Sequence, residues 1–357
     1  DTYRGDPRDP LSLNLYAYCA NNPITYYDPT GFLRVKIDDR EISDVLLVGD
    51  TVYGNIYDLA MTLDYNIIEN NESIALYYID YTGAKRSREF TKKGWLKNNE
   101  NMIAGVRELA EYRGYGDTIS WWHDANKNLN VLVRPEMKYA PIQVKREGGE
   151  FKINAKVRFT GDANELFEDT GKTYAELAAK GIEEHWTTSF VGSEYDFYEG
   201  FEGNVVTNVS YMVPGQSYFV NSNQRYLNIN IDLIDPPKKR VPSTMSGGGR
   251  RWSVVSPGSI NIVHYDNKYP NMLKGHKYVA AHEFGHTLGL SDAYERPSSE
   301  AAEVTAEVPR NDIMRRHRGT VNANTIEMVW EAWSTNQWQY FDGHNRYPAS
   351  RVIKFSQ

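Results

Sequence analysis

His282, Glu283, Phe284, Gly285 and His286 open a stretch that continues through Thr287, Leu288, Gly289, Leu290 and Ser291 to Asp292. In an α-helix, residues four apart return to the same face about one turn higher. His282 and His286 can therefore direct two imidazoles at one ion. Neutral imidazole nitrogen suits zinc, which it binds at roughly 2.0–2.1 Å. Glu283, beside the first histidine, is placed to take a proton from a metal-bound water as general base. Gly289 can leave the helix in the left-handed conformation and turn the chain back, which brings up Asp292 as the candidate third ligand. Two imidazoles, one carboxylate and an open position describe a catalytic rather than a structural zinc site, so Zn2+ is the implied cofactor.

The elements that must position these residues can be read from periodicity. Residues 151–159 alternate apolar and polar as a half-buried strand does. Residues 173–190 carry Leu177, Ile182 and Trp186 at helical spacings. Residues 205–213 and 226–234 read as two more strands, and Ser259, Ile260, Asn261, Ile262 and Val263 as the start of a fourth at 259–265. This fourth strand is expected to be an exposed sheet edge, where a peptide substrate adds as a further strand through backbone hydrogen bonds. The histidine helix is expected to begin near Lys277. The basic, glycine-rich run around Ser246-Gly247-Gly248-Gly249-Arg250-Arg251 reads as solvated loop. His264 and His276 have no ligand spacing to the pair and read as structural.

Composition bounds the rest. The chain has 357 residues, more than one core usually fills, so two or three domains are expected. Hydrophobic residues at 40% and charged residues at 24% read as soluble and globular. The 26 Tyr and 8 Trp suit extracellular or surface-rich β structure. A net charge of −7 gives a nucleic-acid partner no support. Cys19 is the single cysteine, which excludes an intrachain disulfide and a cysteine-rich zinc cluster. No apolar run approaches the ~20 residues of a membrane span. The chain opens at Asp1 without Met or a signal-like segment, and is expected to be a fragment or a processed product.

Residues 1–32 hold aromatic strand material, Leu13, Leu15, Tyr16 and Tyr18, followed by two turn signals, Asn21-Asn22-Pro23 and Asp28-Pro29-Thr30-Gly31. This segment resembles the end of the RHS-repeat core of bacterial polymorphic toxins and wall-associated proteins, where such a signature closes a β-cage ahead of a variable toxin domain. In that family the chain is often self-cleaved after a leucine, and the matching position here is Phe32. From residue 33 to about 134 a weak repeat runs at a spacing of 50 residues. Ile56, Asp58, Leu59, Ala60 and Tyr65 align with Val106, Glu108, Leu109, Ala110 and Tyr115. Each copy reads as an extended lead-in, a short helix (55–63, 105–113) and a hydrophobic strand (67–78, 119–133). The second copy resembles the small β-α-β module called the copper amine oxidase N-terminal-like domain. No copper follows, because His123 is the only histidine in the repeats. Residues 33–134 read as a spacer or binding module, with cell-wall glycan as a candidate partner through Trp121 and Trp122. Packing of at least one of these in the core is the simpler expectation. Residues 135–141, with two prolines, read as the linker onward.

Residues 145–341 resemble a metzincin-type zinc peptidase, with Asp292 in place of a third histidine as in the snapalysin-like branch. The resemblance implies a methionine-containing turn beneath the metal, and Asn311-Asp312-Ile313-Met314 fits it. A helix then follows, capped by Asn324 and striped by Ile326, Val329, Trp330 and Trp333. Where some members carry an oxyanion-stabilising tyrosine, this chain has Arg316, so Arg316 and His317 are the candidate oxyanion donors. In the other large class of HExxH enzymes the third ligand is a later glutamate, and Glu300, Glu303 and Glu307 stand at plausible distances. Gly289 and Leu290 stand where the turn needs them, which favours Asp292.

The expected fold class is α+β: a metzincin-like mixed sheet with an active-site helix, preceded by small tandem β-α-β modules and a short RHS-core β segment. The expected domains are 1–32, the end of the RHS core; 33–140, the tandem modules; and 141–357, the zinc metallopeptidase. The expected function is that of a zinc endopeptidase with Glu283 as general base, the toxin or effector tip of an RHS-type protein secreted or displayed by bacteria and delivered into a target cell. Its expected partners are a protein or peptide substrate and an immunity protein, with no nucleic acid and no membrane span. The alternatives are a cell-wall or surface adhesion protein with a vestigial peptidase domain, and a nuclease toxin, which the acidic charge argues against.

Overall fold

Asn55 and Gly105 hold the same place in two copies of one structural unit. The computed structural model describes residues 33–93, 96–98, 101–124, 127–167, 170–191, 202–216, 225–234, 243–246, 251–265, 272–293, 311–315 and 319–339. The RHS-like segment 1–32, with Phe32, lies outside them. The chain divides between Lys138 and Tyr139 into two compact units.

The first unit begins with β1 (Leu33–Ile37), β2 (Arg40–Glu41) and β3 (Leu46–Val48). The first copy then runs β4 (Thr51–Asn55), α1 (Ile56–Thr62), β5 (Asn66–Glu69) and β6 (Ser73–Ile79). After β7 (Lys85–Thr91) and β8 (Lys97–Asn98) come the elements of the second copy: β9 (Asn101–Gly105), α2 (Val106–Tyr112), β10 (Ile119–His123) and β11 (Leu129–Val133). The stretches read as one strand per copy are therefore two strands each. The first breaks where the Asn70 side chain accepts from the Glu72 and Ser73 backbone N–H groups, an Asx-type turn. The second breaks where Asp124 accepts from the Asn128 backbone and side chain. The lead-in strands of the two copies pair with each other, β4 antiparallel to β9. Equivalent residues do equivalent work: the Tyr65 N–H donates to Ala60 O and the Tyr115 N–H to Ala110 O, each at 2.8 Å. Ile56, Leu59, Val106 and Leu109 are buried in one shared core, against which Trp121 packs half-buried. Trp122 is also half-buried. Residues 135–139, read as linker, form a 3-10 helix.

The second unit opens with β12 (Ile142–Glu147) and β13 (Glu150–Gly161), an antiparallel pair. Along β13, Phe151, Ile153, Ala155, Val157 and Phe159 are buried while the residues between them are not, the period-2 signature of one covered face. A small hairpin of β14 (Leu166–Phe167) and β15 (Lys172–Thr173) leads into α3 (Tyr174–Trp186). Thr173 and Glu176 close a capping box at the start of α3, and Leu177, Ile182 and Trp186 are buried along it. Each such burial contributes roughly 1.5–3 kcal/mol. Then follow β16 (Thr188–Val191), β17 (Glu202–Met212), β18 (Leu227–Ile234), β19 (Thr244–Ser246), β20 (Ser259–Tyr265), α4 (Met272–Thr287) and α5 (Ala323–Thr335). β13 is parallel to both β17 and β18, and β18 is parallel to β20. β16 is antiparallel to β17, and β19 to β20. The described residues thus combine five α-helices with mixed parallel and antiparallel sheet.

Three expectations are corrected here. In the strand from Ser259 through Ile260, Asn261, Ile262 and Val263, the first three residues are not at a sheet edge. β18 lines one side along its whole length, and β19 covers Ser259 to Asn261 on the other. Outside it lies Thr244–Ser246, a strand of three residues, too few to show alternation in the sequence. The histidine helix begins at Met272, five residues before Lys277. Finally, α5 is capped by Asn322, not Asn324: the Asn322 side chain accepts from the Thr325 N–H, and Asn324 lies buried inside the first turn. Ile326, Val329, Trp330 and Trp333 are all buried, as the stripe requires.

Candidate metal centre

The helix that carries the two histidines is held along its length by indole N–H groups. Trp186 of α3 donates to Ala281 O at 2.9 Å, Trp252 to Thr287 O at 2.9 Å and Trp333 of α5 to Leu288 O at 3.0 Å. The last two satisfy carbonyls at the helix end that have no partner inside the helix. α3 and α4 cross closely because Gly181 lacks a side chain; a Cβ there would stand 2.6 Å from the Lys277 backbone.

α4 ends in a Schellman motif. The Leu290 N–H returns to Gly285 O and the Gly289 N–H to His286 O, with Gly289 at φ +97°. Only glycine suits that position. Besides the strained φ, a Cβ would meet the Ala332 Cβ at 2.7 Å and the Trp252 ring at 2.8 Å. The reversal carries the chain back over the histidine face and places Asp292 there.

His282, His286 and Asp292 converge. Asp292 Oδ1 lies 3.2 Å from His282 Nε2 and 3.3 Å from His286 Nε2, and the two rings stand 5.0 Å apart, nearly perpendicular. Both Nδ1 atoms sit 2.8 Å from backbone carbonyls, His282 at Ile313 O and His286 at Leu290 O. A carbonyl can only accept, so each Nδ1 carries the hydrogen and each Nε2 presents its lone pair when the ring is neutral. Two lone pairs and a carboxylate oxygen then face one another, an arrangement that calls for a cation. Two ligand atoms held by zinc at tetrahedral angles stand about 3.3 Å apart. The observed 3.2 and 3.3 Å fit that spacing, and the donor set fits the ion.

The electrostatics agree. Burial raises the pKa of Asp292, but hydrogen bonds and charge from His282 and His286 outweigh it and hold the carboxyl well below the usual carboxylate range. Burial likewise opposes the His286 imidazolium, yet Asp292, Glu283 and the Leu290 carbonyl together raise its pKa above the ordinary value. Glu283 is buried beside the first histidine, and its charge is felt at His286.

Met314 lies fully buried beneath this face. A Cβ on Gly285, between the two histidines, would overlap the Met314 sulfur, so glycine at that place lets the turn press against the helix. The turn touches both ends of the site. Ile313 O accepts from His282 and from the Tyr278 hydroxyl, while Met314 O accepts from the Ala293 N–H next to Asp292.

Asp312 anchors the turn and was not singled out in the sequence. It is fully buried and accepts from the Met314 N–H at 2.7 Å, Asn322 Nδ2 at 2.7 Å and the Thr325 hydroxyl at 2.5 Å. Burial raises its pKa, against the lowering effect of Thr325, the Met314 N–H, Asn322 and His282. Its carboxyl joins the methionine turn to the cap of α5. The one signal available was its position inside Asn311-Asp312-Ile313-Met314, where aspartate suits a turn. Trp252 and the Trp338-Gln339 stretch were also missed, since a lone tryptophan in a loop carries no periodicity.

His264 and His276 lie apart from the metal-facing atoms. Their rings are 5.0 Å from each other among Tyr174 and Phe167, and His276 Nε2 donates to Tyr174 O at 2.9 Å. Burial and His264 push the His276 pKa down to about 3, so it packs as a neutral ring. The candidate oxyanion donors Arg316 and His317, and the alternative ligands Glu300, Glu303 and Glu307, lie outside the described residues. Among the described residues, His282, His286 and Asp292 form the one group of three or more His, Cys, Asp or Glu side chains able to share an ion. No protein-family model matches the chain, and no curated protein matches it.

Proposed function

We propose that the second unit is a zinc-dependent endopeptidase of metzincin type, with His282, His286 and Asp292 as ligands and Glu283 as general base. The observation that carries this reading is the meeting of Asp292 Oδ1 with both Nε2 atoms at the spacing of tetrahedral ligands. The methionine turn under the histidine face and the mixed sheet ahead of α4 support the metzincin assignment.

Zinc held by these three atoms would lower the pKa of a coordinated water toward neutrality and polarise a substrate carbonyl. The chain's own residues do the rest. The Ile313 and Leu290 carbonyls fix the tautomer and aim of the two imidazoles. The carboxylate of Glu283 accepts a proton from the attacking water and returns it to the leaving amine, as general acid–base catalysis requires. A peptide substrate adds along the outer strand Thr244–Ser246, where backbone N–H and C=O groups can serve an extended chain.

The delivery context rests on residues 1–32, whose RHS-like signature makes this peptidase the toxin tip of a secreted or surface-displayed bacterial protein, matched by an immunity protein. The repeated first unit serves as its spacer or wall-binding module. The test is a proteome-wide cleavage profile of wild type against Glu283→Ala. New peptide termini that appear with wild type and vanish with the variant are the expected result; identical profiles overturn the reading.

A further inference from the structure

We propose that Trp338 is a positioning residue for the metal centre, setting the ring plane of His286 from a segment beyond α5. The inference rests on the zinc reading of the site and adds to it a part that the motif does not contain.

Besides facing each other, the two histidines each meet a backbone carbonyl and a further aromatic ring. His282 bonds Ile313 O, and beside it stands Tyr278, one helical turn back on the same helix, with ring centroids 5.9 Å apart. The Tyr278 hydroxyl donates to that same carbonyl, so α4 and the methionine turn between them fix His282. On its own helix the ring beside His286 is that of His282, edge-on at 5.0 Å, which is itself one of the metal-facing residues. It bonds Leu290 O, and from outside the helix Trp338 lies beside it, nearly parallel at 14° with centroids 6.3 Å apart. Anchors at Nδ1, on Leu290 O, and at Nε2, on Asp292, leave the ring plane free to rock about the line between them. A parallel indole packed beside the ring removes that freedom.

The same two-residue stretch also holds the loop of the third ligand. The Gln339 N–H donates to Gly289 O at 2.8 Å, and Gln339 O accepts from the Ser291 N–H at 3.0 Å. These bonds bracket Leu290, whose carbonyl orients His286, and end one residue before Asp292. Trp338 is itself held edge-on by Trp252, which contacts Trp333 in the same way and donates to Thr287 O. The indole is therefore a fixed platform and not a free wall of the site.

The experiment compares the full chain carrying Trp338→Ala or Trp338→Phe with wild type. Its readouts are zinc affinity by chelator competition and the ligand-field spectrum of the cobalt(II)-loaded proteins. The expected result is a ten- to hundredfold loss of zinc affinity, about the scale for residues that orient metal ligands, with an altered cobalt spectrum in the alanine variant. The phenylalanine variant, which keeps a ring face, returns close to wild type on both. Should the alanine variant fail to fold, Trp338→Leu takes its place, keeping bulk without a ring face. A variant that binds zinc as wild type does, with an unchanged cobalt spectrum, overturns the inference, as does a phenylalanine variant no better than the aliphatic one. Wild type that binds no zinc removes the zinc reading itself, so the two failures are distinguishable.

Discussion

The Nδ1 of His282 donates to the carbonyl of Ile313 at 2.8 Å, which ties the first metal-facing histidine to the residue before Met314. The helix and the methionine turn are thus one device. Moving the turn moves the ligand. The carboxyl of Asp312 in turn locks that turn to Asn322 and Thr325 at the head of α5.

Asp312→Ala should accordingly reach the site without touching a ligand. It leaves the buried Met314 N–H and Thr325 hydroxyl, and the half-buried Asn322 amide, without their acceptor, a loss of about 3 kcal/mol. Urea unfolding measures this, and zinc affinity should fall with it. A variant of unchanged stability would contradict the role given to the carboxyl.

Gly289→Ala places a Cβ at φ +97° and against Ala332 and Trp252. Left-handed strain of roughly 1–2 kcal/mol and overpacking of roughly 1–3 kcal/mol both apply. The expected outcome is a lower melting temperature together with weaker zinc binding, because Asp292 follows directly on this turn. Calorimetry of the zinc-loaded and chelator-stripped proteins separates the two effects.

A third prediction concerns pH. In protein stripped by a chelator, the His286 pKa lies above its unfolded value, so its stabilising contribution is fully present below about pH 6.5 and is lost as pH rises through the raised folded value. The depressed Asp292 contributes above about pH 3.9, and that contribution is lost as pH falls through its folded value. The stripped protein should melt at lower temperature as pH climbs above about 6.5. Zinc affinity should move the opposite way, since an imidazole must lose its proton to bind the ion. Parallel rather than opposed trends would count against the assignment of His286.

Trp252→Phe keeps the aromatic ring but removes the N–H that reaches Thr287 O. Leaving that carbonyl unbonded at the end of α4 should cost about 1–3 kcal/mol, read from urea unfolding, with the fold retained. A neutral substitution would show that the indole clasp does not hold the helix.

What the sequence disclosed and what it withheld divide along local and non-local lines. His282 and His286 were legible because a helix fixes their relation over four residues, and Gly289 because its conformation is a local need. The alternation from Phe151 to Phe159 was legible for the same reason. The edge of the sheet was not. Thr244–Ser246 is too short to show a period, so Ser259–Tyr265 was given its place. Asn324 looks as good a cap as Asn322 until the bond to Thr325 distinguishes them. Asp312 reaches Asn322 across 10 residues of chain and Trp252 reaches Thr287 across 35, while Trp338 meets His286 from beyond α5, through contacts that no spacing encodes.

The central claim is that three side chains hold zinc while Glu283 moves a proton. One paired measurement tests it: zinc stoichiometry and peptide hydrolysis on the same preparations of wild type, Glu283→Ala and His286→Ala. The account predicts near-stoichiometric zinc with hydrolysis in wild type, zinc without hydrolysis in Glu283→Ala, and loss of both in His286→Ala. Wild-type-like turnover in the Glu283 variant, or hydrolysis that persists after zinc is gone, would contradict it.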